Sequence, residues 1–161
     1  MLELNYDNLN GWAISEEAIK WMIANIPEGS TVLEFGSGNG TIELAKFFDV
    51  ISVDNDKEWS GLTTKAKYIV TPIIDNWFQM DAVYEAIKGK DIAVVIVDAP
   101  LGSGNRKGFI KYAKEFSKSV IIVDDTHRSA ELKLAVAISK IVGRPNQHIV
   151  GHEKAFATYA K

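Results

Sequence analysis

The chain has 161 residues, of which 47% are hydrophobic and 24% are charged, and its formal net charge is −3. This length predicts one domain with a substantial buried core, and this composition is typical of a globular protein. The slight negative charge provides no general attraction to nucleic acid, and the absence of cysteine excludes disulfides, thiolate metal sites and a cysteine nucleophile.

No apolar run approaches the roughly 20 residues that a membrane-spanning helix requires. The N-terminal sequence MLELNYDNLNGW also differs from a secretory signal, in which basic residues precede an apolar stretch. We therefore expect a cytoplasmic protein with no membrane partner.

The N-terminal third predicts a helix followed by a strand–turn–helix–strand unit. Residues 15–26 have apolar side chains at the spacing of one helix face. Residues 32–35 form an apolar strand that leads into a glycine-rich turn, and residues 41–48 form a short helix. A second apolar strand, residues 50–53, ends at Asp54.

The middle third continues this alternation of strands and helices. Asp56 is placed to cap a short helix, and residues 68–70 form a brief third strand. A helix is predicted over residues 76–88, and Gly89 would end it in a left-handed conformation. Residues 92–97 are an unbroken apolar run, as expected of a strand that is buried on both faces.

The C-terminal third begins with a loop and a helix that carries Phe109. A buried strand follows at residues 120–123, and Ser129 would cap a helix that extends to Val142. Residues 148–159 contain two short strands too close together for a crossover helix, so we expect an antiparallel hairpin.

Alternating strands and helices predict an α/β fold: a three-layer sandwich whose mostly parallel seven-stranded sheet has helices on both faces. Residues 1–161 would form a single domain, with residues 1–27 as an N-terminal helical cap. The elements are joined without insertions, so the chain resembles a bare catalytic core.

The most informative segment is EFGSGNG, residues 34–40, which joins the first strand to the next helix. A dinucleotide-binding turn places its third glycine one residue later, where Thr41 stands. Glu34 lies close before the first glycine, and its carboxylate would repel a pyrophosphate but would suit a cationic or hydroxyl-bearing group. An oxidoreductase that uses a nicotinamide dinucleotide is therefore disfavoured.

This glycine loop and Asp54 resemble the cofactor-binding segments of the Rossmann-like class I S-adenosylmethionine-dependent methyltransferases. The resemblance extends over the whole chain and implies the strand order 3-2-1-4-5-7-6, with the last strand antiparallel. It also implies that the loop passes under the amino-acid part of S-adenosylmethionine, that Asp54 accepts hydrogen bonds from the ribose hydroxyls, and that Asn55 or Asp56 lines the adenine pocket. The implied cofactor-binding residues are Glu34, Gly36, Ser37, Gly38, Gly40, Asp54, Asn55, Asp75 and Asp98.

Acidic residues also follow the two strands of the second half, because Asp98 and the pair Asp124 and Asp125 come directly after apolar runs. Ligands of open parallel sheets bind at the carboxyl ends of the strands, where these acids would converge. The three resemble the divalent-metal site of catechol O-methyltransferase-like enzymes, and three carboxylates there would suit Mg²⁺ or a similar cation. That family usually has Asp-Asn in place of the adjacent pair, and its loop lysine has no clear match at Lys107.

Deprotonation of a hydroxyl acceptor would require a base near the methyl group. The candidates for catalysis are Asp98, Asp124 and His127, and Arg128 is placed to bind an anionic group. The alternative for His127 and Arg128 is that both are solvated residues of a loop.

The sequence DAPL at residues 98–101 differs from the Asp/Asn-Pro-Pro-aromatic segment of enzymes that methylate amino groups of nucleic acids. Leu101 replaces the aromatic residue that stacks on the flipped base. We therefore expect O-methylation of a small-molecule or carbohydrate-like acceptor. The alternatives are an RNA or protein methyltransferase and a non-catalytic cofactor-binding subunit. Because the chain has no insertions, a second copy or a partner subunit is a candidate to cover the active site. Trp12 is a further candidate for the wall of the cofactor site.

Overall fold

A computed structural model describes residues 5, 7, 9, 13–102, 105–151 and 154–159, and only the backbone of Tyr159. Its α-helices are α1 (Glu16–Asn25), α2 (Asn39–Leu44), α3 (Asp81–Ile87) and α4 (Ser129–Val142). Its strands are β1 (Thr31–Phe35), β2 (Asp49–Asp54), β3 (Lys67–Val70), β4 (Ile73–Ile74), β5 (Trp77–Phe78), β6 (Ile92–Val97), β7 (Val120–Val123), β8 (Gln147–Val150) and β9 (Ala155–Tyr159). Short 3-10 helices span Lys57–Trp59 and Asn105–Lys111. Within these ranges, no helix combines the length and apolar content needed to cross a bilayer.

The main sheet contains seven of the described strands in the order β3-β2-β1-β6-β7-β9-β8. The first five pair in parallel, β9 runs antiparallel to β7, and β8 runs antiparallel to β9. The remaining strands, β4 and β5, form a separate hairpin. When this hairpin is left out of the count, the order is the predicted 3-2-1-4-5-7-6, so the predicted fold is confirmed.

Successive side chains of the central strands enter two hydrophobic cores, one on each face of the sheet. In β6, Val94 and Ile96 join the core that contains buried residues of α1 and α2, whereas Val95 and Val97 join the core that contains residues of α3 and α4. This alternation is the period-two geometry of a strand. It explains why residues 92–97 are apolar without interruption.

The first helix is part of the layer that covers one sheet face. Ser15 precedes α1 as its N-cap, and its hydroxyl accepts a hydrogen bond from the backbone N–H of Ala18 at 3.3 Å. Ala18, Ile19 and Met22 of α1 are fully buried in the core beneath it. Within the predicted N-terminal cap of residues 1–27, α1 therefore packs on the sheet. The segment just before α1 lines a cavity at the edge of the sheet.

The helix predicted over residues 76–88 is shorter than expected, because the end of the β4–β5 turn and β5 itself occupy its first residues. Asp75 and Asn76 form the two-residue turn of this hairpin, with φ of +51° and +66°. Such turns require positive φ at both central residues, which aspartate and asparagine tolerate better than most residues. Trp77 and Phe78 are thereby buried in the larger core, each about 1% exposed.

The segment that carries Phe109 is also not an α-helix. It begins with the 3-10 helix Asn105–Lys111 and continues in turns, in which Tyr112 donates a hydrogen bond to the carbonyl of Phe109. Gly108 packs so closely on the hairpin that a Cβ would lie 2.3 Å from the carbonyl oxygen of Asn76. The backbone at Gly108 is therefore in close contact with the backbone of the β4–β5 hairpin, in the segment where a 3-10 helix replaces the predicted α-helix.

The last helix, α4, ends as predicted and begins one residue earlier than its predicted cap implied. Gly143 follows it with φ of +70°, which is the left-handed conformation that glycine adopts readily. Ser129 is the first helical residue, and Arg128 occupies the N-cap position without a side-chain hydrogen bond. The predicted cap at Ser129 is therefore wrong.

Candidate functional site

A cavity of about 460 Å³ lies at the carboxyl ends of β1, β2 and β6. The loops that follow these three strands form most of its wall, as expected for ligand sites of open parallel sheets. The segment before α1 and the β4–β5 hairpin complete the wall. The described residues that line the cavity are Ala13, Ile14, Glu34, Gly36, Ser37, Gly38, Asn39, Gly40, Asp54, Asn55, Asp56, Trp59, Ile73, Asn76, Asp98, Ala99, Pro100, Leu101 and Asn105.

The three glycines of the loop after β1 serve different purposes. Gly36 has φ of +115°, and a Cβ there would lie 3.0 Å from the Cβ of Ala99, so glycine lets this loop approach the loop after β6. A Cβ on Gly40 would lie 2.6 Å from a methyl carbon of Ile14, so this glycine admits the segment before α1. A Cβ on Gly38 would meet no protein atom within 4 Å, and glycine here leaves that part of the cavity open.

Glu34 lies beneath the glycine loop and is only 2% exposed. Its Oε2 accepts hydrogen bonds from the hydroxyls of Thr41 and Ser52, both at 2.6 Å. Burial nevertheless raises the pKa of Glu34 to about 7, because removal of water penalises the charged form more than these bonds favour it. A cation that entered the cavity would favour the ionised form.

Asp54, at the end of β2, is fixed by the backbone on both sides. Its Oδ2 accepts from the N–H of Ser37 and its Oδ1 from the N–H of Asp56, both at 2.9 Å. Each carboxylate oxygen can accept a further bond, so the two oxygens can receive two adjacent hydroxyls. Asn55 also lines the cavity at this end. The structure therefore brings together the glycine loop and the acid after β2, as the sequence predicted.

The structure does not bring Asp75 to the cavity lining. Asp75 is exposed at the tip of the β4–β5 turn, and Asn76 lines the cavity in its place. Trp59 also lines the cavity and is 41% exposed, so an aromatic face is available to a flat ring there. Trp12 lies outside the described residues.

The three acids predicted at the ends of β6 and β7 converge, with one carboxylate oxygen from each residue lying within 4.8 Å of the others. Asp98 lines the cavity, whereas Asp124 and Asp125 are buried behind it. Burial, and next the neighbouring Asp124, raise the pKa of Asp98 well above its usual value. Burial likewise raises the pKa of Asp124, and the cationic neighbours of Asp125 lower its pKa against the effect of burial.

His127 is exposed and is absent from the described cavity lining. Arg128 lies beside it, 42% exposed, and its Nη1 contacts Oδ2 of Asp125 at 3.2 Å. His127 is therefore not placed to contact a ligand in the cavity. Arg128 forms an ion pair with the buried Asp125.

Two buried basic residues in this region were not predicted. Arg106 and Lys154, with side chains 3% and 13% exposed, form ion pairs with the three acids. Arg106 follows the glycine-rich segment 102–104 in sequence, and Lys154 comes directly before β9, in places where exposed basic residues are common. No local sequence pattern could distinguish them from surface residues.

The ionisable side chains among the described lining residues are all acidic. They are Glu34, Asp54, Asp56 and Asp98, and no lysine, arginine or histidine is among the described lining residues. Such a site favours a ligand with positive charge or hydroxyl donors and disfavours phosphate groups.

No protein-family model matches this sequence, and no curated protein matches it. Solved structures with a similar fold include precorrin 8w decarboxylase from Methanobacterium thermoautotrophicum (14% identity, TM-score 0.60, 99% of this chain and 96% of that chain covered). A putative caffeoyl-CoA O-methyltransferase from Staphylococcus aureus is similar as well (10% identity, TM-score 0.61, 91% and 82% covered). So is a Podospora anserina methyltransferase with bound SAH (13% identity, TM-score 0.54, 93% and 80% covered). The chain therefore has the Rossmann-like fold of the class I S-adenosylmethionine-dependent methyltransferases.

Proposed function

We propose that this protein is an S-adenosylmethionine-dependent methyltransferase that acts on oxygen of a small molecule. The observation that carries the proposal is the acidic cavity at the carboxyl ends of β1, β2 and β6, whose described lining has four carboxyl groups and no basic side chain. A pyrophosphate cofactor would meet electrostatic repulsion there. A sulfonium cofactor with a positive charge and a ribose diol suits the same surface.

The residues of the cavity wall divide between the parts of such a cofactor. The loop around Gly38 leaves space for the amino-acid part, and the ionised form of Glu34 would attract its ammonium group. Asp54 presents two oxygens, held by backbone N–H groups at 2.9 Å, to the ribose hydroxyls. Trp59 and Asn76 are available to the adenine together with the predicted Asn55 and Asp56, which also line the cavity.

When bound, S-adenosylmethionine supplies an activated methyl group, so no covalent intermediate on the protein is required. The task of the chain is to align the acceptor and to remove its proton if the acceptor is a hydroxyl. Asp98 is the acid that lines the cavity beside Ala99 and Pro100. Because burial raises the pKa of Asp98, its ionised form is a stronger base than an exposed aspartate. We assign it the role of proton acceptor.

The sign of the lining charges also restricts the acceptor. A phosphorylated or nucleic-acid acceptor would bring negative charge to a cavity whose described lining has no basic side chain. Leu101, where an aromatic residue would stack on a flipped base, is 67% exposed at the cavity rim. A small acceptor that is neutral or cationic fits this end of the cavity better.

Calorimetric titration with S-adenosylhomocysteine tests the cofactor part of the proposal. Wild-type protein should bind it, and Asp54→Asn should bind it about 10- to 100-fold more weakly, because hydrogen bonds to a charged acceptor are lost. Asp49→Asn is the matched control, since Asp49 is an exposed residue at the opposite end of the same strand. Absence of binding by folded wild-type protein, or equal affinities of the two variants, would contradict the proposal.

A further inference from the structure

The cluster of acids behind the cavity contains basic groups of the protein itself. The carboxylates of Asp98, Asp124 and Asp125 come close enough together to suggest a metal site. The side chains of Arg106 and Lys154 reach the same carboxylates. We call these five residues the charge cluster.

Arg106 connects all three acidic residues. Its Nη2 lies 3.1 Å from Oδ1 of Asp98 and 2.8 Å from Oδ2 of Asp125, and its Nη1 donates to the backbone carbonyl of Asp124 at 3.0 Å. A guanidinium can make these contacts together because its donors form a planar fork. The side chain is 3% exposed, so water screens these contacts little.

Lys154 neutralises the other side of the charge cluster. Its Nζ lies 3.5 Å from Oδ2 of Asp124 and 3.5 Å from Oδ1 of Asp125, and it donates to the carbonyl of Ala13 at 2.6 Å. Ala13 lines the cavity, so Lys154 also ties the terminal hairpin to the cavity wall. Arg128 adds a more exposed positive charge beside Asp125.

These contacts do not suit a divalent metal ion. Mg²⁺ requires oxygen ligands at about 2.0–2.1 Å around a common centre. A nitrogen of Arg106 or Lys154 lies within 3.5 Å of an oxygen of each of the three carboxylates. Three carboxylates already face three basic groups, and two more buried positive charges without compensation would be costly. A divalent ion would therefore compete with Arg106 and Lys154 for the same carboxylates.

We propose that Arg106 and Lys154 are permanent counterions that take the position of a divalent metal in the charge cluster. In place of the Mg²⁺ considered from the sequence, the charges of Asp98, Asp124 and Asp125 would then be balanced by basic side chains of the same chain. This inference does not depend on the methyl-transfer proposal, because it concerns the binding of ions and the stability of the fold.

The first experiment measures Mn²⁺ binding to the wild-type protein by electron paramagnetic resonance. At about 1 mM Mn²⁺, which is the weak end of protein sites for divalent cations, wild-type protein and Asp124→Asn should leave the free-ion signal equally undiminished. A loss of signal with the wild type that Asp124→Asn abolishes would overturn the proposal. Cofactor binding has no part in this readout, so its result is separate from the test of the methyltransferase function.

The second experiment is a double-mutant cycle on thermal unfolding. Lys154→Met should lower the midpoint by about 10 °C, because removal of one partner leaves buried carboxylates without compensation. Lys133→Met, at an exposed position on α4, should lower it by less than about 2 °C. Addition of Asp124→Asn to Lys154→Met should recover part of the loss. Equal changes of the midpoint by Lys154→Met and Lys133→Met would count against the proposal. So would a double variant whose midpoint change is the simple sum of the changes caused by Lys154→Met and Asp124→Asn. If Lys154→Met does not fold, the Mn²⁺ experiment decides.

Discussion

The buried carboxyl of Glu34 should make the stability of this protein depend on pH, and Glu34→Gln should remove that dependence. Glu34 is 2% exposed, and burial raises its pKa from 4.5 to about 7. Glutamine has nearly the same shape, and its carbonyl oxygen can accept the hydrogen bonds of Thr41 and Ser52. The substitution therefore removes the charge and keeps most of the packing.

The sign of the effect follows from proton linkage. The pKa of Glu34 is higher in the folded state than in the unfolded chain, so the folded state holds more protons between these two values. The stability that the neutral carboxyl confers is fully present below pH 4.5 and is lost as the pH rises through about 7. The change from 4.5 to about 7 corresponds to about 3 kcal/mol of unfolding free energy.

Urea unfolding at about pH 4.5 and about pH 8 measures this effect. The stability of Glu34→Gln relative to wild type should rise by about 3 kcal/mol between the two pH values. Glu58→Gln is the matched control, because Glu58 is exposed on the 3-10 helix Lys57–Trp59. Parallel pH profiles of wild type and Glu34→Gln would refute the assignment of a raised pKa to Glu34.

Gly36 and Gly38, two glycines of the loop after β1, should respond differently to substitution. Gly38→Val should keep the thermal midpoint close to wild type but weaken S-adenosylhomocysteine binding at least about 100-fold in calorimetry, because the added side chain meets no protein atom and fills cavity space. Gly36→Val should instead cost about 1–3 kcal/mol of stability in urea unfolding, because φ of +115° strains a branched residue. An unchanged urea midpoint would contradict the close approach of Gly36 to Ala99. Phe109→Ala should cost about 3–5 kcal/mol in the same assay, because its fully buried ring would leave a cavity, whereas Ile110→Ala at a 37% exposed position should cost much less.

The sequence predicted the main sheet because its strands are continuous apolar runs whose ends are marked by glycines and acids. The glycine loop, Glu34, Asp54 and Asp98 could be placed at one sheet edge for the same reason, since parallel strands bring their carboxyl ends together. The turn at Asp75 and Asn76 was missed because the apolar residues that follow it fit a helix pattern locally. Their burial against Phe109 from another segment favours the hairpin instead.

What the sequence alone determined is the strands of the main sheet, their succession along the chain and the acidic edge of the sheet, because these depend on residues that are near one another in the chain. The tertiary structure decided which acids are compensated and which line the cavity. Lys154 binds the carbonyl of Ala13 across 141 positions of sequence, and Arg106 meets Asp125 across 19. Burial raises the pKa of Glu34 in the same way, because the protein atoms around it, and not its neighbours in sequence, remove it from water.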